Sequence, residues 1–164
     1  MRVRRLLALI VFLSVVLSLA SCSDVTAGWC ELWIVLPHGF EETETDGAFD
    51  VAYTDGEAVV GITRMSFEAA IDDGIPSTLS PLRFAEEYKT RTGLDNYSVK
   101  ERGDVPYITY YTREGTEIFM HTVGFYKSYY AYFAVAFVVN SKREAKYSEN
   151  LFEIFDSAYL DYGK

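Results

Sequence analysis

The chain has 164 residues, with 24 acidic against 15 basic side chains and a formal net charge of −9. A surface of that sign repels phosphate backbones, which excludes nucleic acid as a favoured partner, and it offers no polybasic patch to anionic lipid headgroups. Two cysteines cannot make a disulfide scaffold, and the length beyond the leader is enough for one domain with a real core.

Arg2, Arg4 and Arg5 precede an apolar run over residues 6–19, followed by Ala20, Ser21 and Cys22. This is the basic, apolar and small-residue layout of a secretory signal. The run is short for a membrane span, which needs about 20 apolar residues. The quartet Leu19-Ala20-Ser21-Cys22 resembles the bacterial lipobox, whose cysteine sulfur receives a diacylglyceryl group before cleavage on its amino side. That resemblance implies a signal peptide over residues 1–21, lipidation of Cys22, a short tether to residue 28 and an extracytoplasmic location. All 24 acidic residues lie beyond the leader and three basic ones within it, so the mature chain carries twelve basic against twenty-four acidic side chains, a formal −12. Attachment to the membrane then rests on the acyl chains, at about 0.8 kcal/mol per buried CH₂. With Cys22 acylated, Cys30 is the lone thiol, and it reads as a small buried hydrophobe at the start of an apolar stretch.

Residues 29–36 read as a strand ended by Pro37-His38-Gly39. Residues 47–53 alternate Phe49, Val51 and Tyr53 against smaller neighbours, Asp55-Gly56 reads as a hairpin turn, and residues 58–65 form the return strand. Ser66 caps a short helix over residues 67–71, ended by Asp72-Asp73-Gly74. Ser80, Pro81 and Gly93 bracket a better helix. Strands follow at residues 97–100, 105–113 and 116–125. The run at residues 129–139 has no charge and is apolar on both faces, as in a strand covered on both sides. Its small residues Ala131, Ala134 and Ala136 leave room for helices to approach. Ser141 and Glu144 form a capping box for a last helix running to about residue 160, with Tyr147, Leu151, Ile154 or Phe155, and Ala158 on one face. The expected fold is α+β: a single domain over residues 29–162, largely an antiparallel sheet flanked by helices on both faces.

The arrangement resembles the PsbP-like superfamily, which takes in photosystem extrinsic proteins, a nuclear-transport GTPase-binding factor and DcrB-type bacterial envelope lipoproteins. The likeness lies in the Pro37-His38-Gly39-Phe40 opening, the hairpin around Asp55-Gly56 and the Ser80-Pro81 helix. It continues in the Glu101-Arg102-Gly103-Asp104 turn and the long aromatic strand feeding the Ser141 helix. It implies an α/β/α sandwich and a noncatalytic binding or accessory role. It transfers no functional residue, because the family has no common active-site signature.

Site chemistry is sparse. There is no phosphate-binding glycine loop, His-Glu-x-x-His, Cys-x-x-Cys or Gly-x-Ser-x-Gly pattern. His38 precedes Glu41, Glu42, Glu44 and Asp46, a cluster that does not follow the calcium-loop pattern and reads as a solvated acidic loop. Asp72-Asp73 reads as a helix end. Tyrosines crowd the central strands. Alternation places Tyr107 and Tyr111 on one face, Tyr110 on the other, and Tyr130 with Tyr132 on a shared face. A row of them with His121 is the candidate partner or ligand surface, since tyrosine combines rigid contact area with a hydrogen-bonding tip. The expected function is a noncatalytic envelope lipoprotein, held to the membrane through Cys22, that binds an envelope protein or small ligand and needs no cofactor or metal. The alternatives are an envelope hydrolase or metal-dependent enzyme built on His38 and His121, and a purely structural envelope protein. Convergence of the two histidines on a carboxylate is the discriminator.

Overall fold

A computed structural model of the chain describes residues 25–161. The signal, the Cys22 lipidation site and the first part of the tether lie outside the described residues. In chain order the elements are β1 (Val25–Trp29), β2 (Leu32–Leu36), β3 (Glu41–Thr43), β4 (Val51–Thr54), β5 (Ala58–Ser66), α1 (Phe67–Asp72) and α2 (Pro81–Arg91). Then come β6 (Lys100–Arg102), β7 (Val105–Glu114), β8 (Glu117–Lys127), β9 (Ala131–Asn140), a 3-10 turn (Ser141–Arg143), α3 (Glu144–Asp156) and β10 (Tyr159–Leu160).

Seven strands form one antiparallel sheet in the order β3-β4-β5-β9-β8-β7-β6. The expected α+β class is therefore the observed one. The charge-free strand β9 is at its centre, pairing along its length with β5 and β8. Its side chains alternate between two cores. Ala131, Phe133, Val135, Phe137 and Val139 point to one, Tyr132 and Ala136 to the other. Each fully buried large side chain among them contributes about 1.5–3 kcal/mol.

The two faces are covered differently. On one, α1 and α2 pack through Ala70, Phe84 and Ala85. Both helices start as their sequences dictate: the Ser66 hydroxyl accepts from the Ala69 amide and the Ser80 hydroxyl from that of Arg83. The other face carries α3, through Tyr147, Leu151, Ile154 and Phe155, together with a second sheet of order β1-β2-β10. This small sheet is an addition to the expected sandwich. Residues 29–36 supply a hairpin arm rather than the whole first strand. Val25–Trp29 pairs with Leu32–Leu36 through the turn at Cys30 and Glu31, so residues 25–28 of the expected tether belong to the domain. Cys30 is exposed, with a left-handed φ of 53°, so it is a turn residue and not a buried hydrophobe.

The closing helix also departs from expectation at both ends. Asn140 caps the 3-10 turn by accepting from the Lys142 amide, and Ser141 lies within that turn. At the other end α3 stops at Asp156, because Tyr159 and Leu160 pair with Trp33 and Leu32. The Ser157 hydroxyl then accepts from the Val35 amide at 2.9 Å, which closes the edge of β2 next to β10. The β4–β5 turn is tied to α3 and to the 3-10 turn before it: the Tyr147 hydroxyl donates to Asp55 Oδ2 at 2.5 Å, and Lys146 of the helix and Arg143 of the turn pair with Glu57.

Candidate functional site

Where α1 and α2 cover the sheet, they leave a cleft of about 220 Å³. Its floor is Thr63 and Met65 on β5, Val123 on β8, and Tyr132, Ala134 and Ala136 on β9. The small residues of β9 create the space, since a larger side chain at either alanine would project into it. Phe84 and Tyr88 of α2 form one wall, and Ala48 and Phe49 ahead of β4 form the other. Phe84 stacks on Tyr132 with ring centroids 4.2 Å apart and planes 9° apart. The Tyr132 hydroxyl donates to the Pro76 carbonyl at 2.7 Å, so its ring is fixed in place. Phe49 sits over Gly61: a Cβ built on that glycine would lie 2.3 Å from the Phe49 ring.

A polar cluster adjoins this cleft. Burial raises the pKa of the Tyr88 and Tyr110 hydroxyls, which act on each other electrostatically, that of Tyr110 to about 12. Tyr110 stacks on His121, with centroids 4.8 Å apart and planes 6° apart. Thr112 Oγ1 lies 2.7 Å from His121 Nε2. On β8, His121 is the next residue after Val123 on this face, opposite Val138 of β9. Burial holds its pKa below the ordinary value, against a smaller opposing pull from Glu114. His121 is thus a neutral, hydrogen-bonded ring next to an apolar cleft.

The five residues of the expected surface are distributed among three places. Tyr132 lines the cleft and His121 flanks it. Tyr107 and Tyr111 do share a face, but it is the opposite one. Tyr107 packs on Phe152, and the Tyr111 hydroxyl donates to Glu144 at 3.3 Å. Tyr130 sits in the turn before β9, 62% exposed, where its carbonyl accepts from the Phe67 amide. Phe49, Phe84, Tyr88 and Ala134 were not among the expected site residues. The signal available in the sequence was the run of small residues in an aromatic strand, of which Ala134 and Ala136 line the cleft.

His38 is exposed in the turn after β2, and the acidic residues following it belong to β3 and the loop beyond. The sheet order puts β3 four strand spacings from β8, about 19 Å. His38 and its acids therefore do not meet His121. Among the described residues no three His, Cys, Asp or Glu side chains are placed to hold a metal ion. Asp73 is the C-cap of α1. The acidic loop instead borders a second, more open cleft of about 390 Å³, with Glu44 and Asp46 in its wall and Ala48 and Phe49 shared with the first.

The layered sheet with helices on both faces is a PsbP-like fold. Its solved relatives in structure include cyanobacterial PsbP (CyanoP) from Synechocystis sp. PCC 6803, at a TM-score of 0.54 and 12% identity, covering 86% of this chain and 93% of that one. The Saccharomyces cerevisiae Ran-binding protein Mog1p matches at 0.51 and 11%, covering 85% and 96%. A Bacteroides thetaiotaomicron protein matches at 0.57 and 14% over 85% of this chain, which spans 48% of that protein's length. No family model matches the chain, and no curated protein matches it in sequence.

Proposed function

We propose that this chain is an envelope lipoprotein, tethered through acylated Cys22, whose domain is a noncatalytic binding or accessory module. The observation that carries the binding role is the cleft between α2 and the sheet, an apolar hollow with aromatic walls, an anchored tyrosine in its floor and few polar groups. Such hollows are the usual form of a small-ligand site. Two further points support the reading. His38 and the carboxylates that follow it lie four strand spacings from His121, so the groups that an enzyme or metal reading needs do not converge. One structural neighbour on the same fold is described as a Ran-binding protein, so this scaffold serves recognition elsewhere. Tethering would act by confinement, raising the effective concentration of the module near envelope partners.

Two experiments test the two halves. The neutral fluorophore N-phenyl-1-naphthylamine, titrated against the soluble domain, should bind saturably at one site, and Ala134→Leu should abolish that binding while the fold persists by circular dichroism. Unsaturable binding, or binding unchanged by Ala134→Leu, removes the cleft from the scheme. For the anchor, membrane fractionation of the full chain in a bacterial host should show loss of Cys22→Ala from the membrane fraction. An unmodified Cys22 thiol by mass spectrometry would overturn the lipoprotein assignment.

A further inference from the structure

Resting on the cleft just assigned, we infer that its ligand is a small amphiphile with a positively charged end, an alkyl or aryl ammonium compound. Two clefts meet at Phe49 and Ala48. One is apolar and aromatic, about 220 Å³ in volume. The other has Glu44 and Asp46 in its wall, with Thr43 and Thr45 beside them. No basic side chain lines either cleft.

A ligand spanning the pair therefore meets an apolar pocket at one end and carboxylate and hydroxyl oxygens at the other. An anionic head would face repulsion there, and a neutral head would leave the carboxylates without a charged partner. An ammonium group would gain charge-assisted hydrogen bonds from the same oxygens. Phe49 divides the two spaces. Its ring rests on Gly61, where no side chain holds it from below, so it lies between the apolar body and the charged end of such a ligand.

The test uses octylammonium, 1-octanol and octanoate as probes, each displacing N-phenyl-1-naphthylamine from the domain. The expected order is octylammonium tightest, by about five- to tenfold over octanol at low ionic strength, with octanoate weakest. The preference should shrink as salt rises, because exposed charges are screened within about 10 Å at 0.1 M. Glu44→Gln combined with Asp46→Asn should bring octylammonium to the level of octanol and leave octanol unchanged. Both residues are exposed, and unchanged octanol binding is the internal check on folding. Equal binding of octylammonium and octanol by the unaltered domain overturns the cationic assignment while leaving the cleft in place. So does a preference that survives the double substitution. Failure of all three probes to bind overturns the cleft assignment itself, and this inference with it.

Discussion

Gly61→Ala should destabilise the domain by driving Phe49 off the sheet. The added Cβ would lie 2.3, 2.4 and 2.5 Å from three ring carbons, where ordinary contact begins at 3.4 Å, so the ring must retreat by about 1 Å or swing away. Overpacking of this kind costs about 1–3 kcal/mol. With an unfolding entropy near 2.1 cal/mol/K per residue, a domain of this size loses about 0.3 kcal/mol/K, so Tm should fall by about 3–10 °C. The decisive measurement is a double-mutant cycle with Phe49→Ala, read by thermal and urea denaturation. Phe49→Ala removes all three of these close contacts, and replacing glycine in a strand should then stabilise by about 0.5–1 kcal/mol. The sign of the Gly61→Ala effect should therefore reverse between the two backgrounds. Additivity of the two substitutions within about 0.5 kcal/mol would refute the packing argument.

Tyr147→Phe removes the hydroxyl that holds Asp55 and should cost about 1 kcal/mol at pH 7, the low end for a bond to a carboxylate because Asp55 is largely solvated. Burial raises the Asp55 pKa, but the Tyr147 hydroxyl, the Ala58 and Glu57 amides and Lys146 outweigh it and hold it below its ordinary value. The contribution is therefore present above about pH 4 and lost as pH falls through the lowered value, and denaturation at pH 7 and pH 3 should show the gap to Tyr147→Phe closing. His121 has a depressed pKa, so the unfolded chain takes up a proton first as pH drops below about 6.5. Stability should decline from there until the folded ring also protonates, and His121→Gln should flatten the Tm profile over that interval. Cys30→Gly relieves a left-handed φ and should raise Tm by about 2 °C, and in the unaltered domain the Cys30 thiol should react with a maleimide without denaturant.

What could be read from sequence was governed by local chemistry. Ser66 and Ser80 are caps whose hydroxyls act on their own first turns, and Asp55-Gly56 is a turn whose φ requirement is met on the spot. The charge-free run ending near Val139 announced a strand buried on both faces. The failures share a different cause. Cys30-Glu31 is not a turn-forming pair by composition, and the strand pairing on either side imposes the turn. The apolar spacing through Ala158 predicted more helix, but pairing of Tyr159 with Trp33, 126 positions earlier in the chain, won over local periodicity. The site was hidden for the same reason. Alternation separated Tyr107 and Tyr111 from Tyr110 correctly, but it carries no information on which face α2 would cover. The contact of Phe49 with Gly61 depends on how a loop folds back over β5, and neither residue type reveals that on its own.

The seven-stranded sheet ends in β3, Glu41–Thr43, on one margin and β6, Lys100–Arg102, on the other. Each marginal strand is only three residues long, and most of their side chains are charged and face solvent, while β7 runs on beyond its pairing with β6 from Ile108 to Glu114. Neighbouring copies concentrated on a crowded surface would find charged, hydrated seams at β3 and β6 too short to zip together, which leaves the open stretch of β7 as the margin to guard.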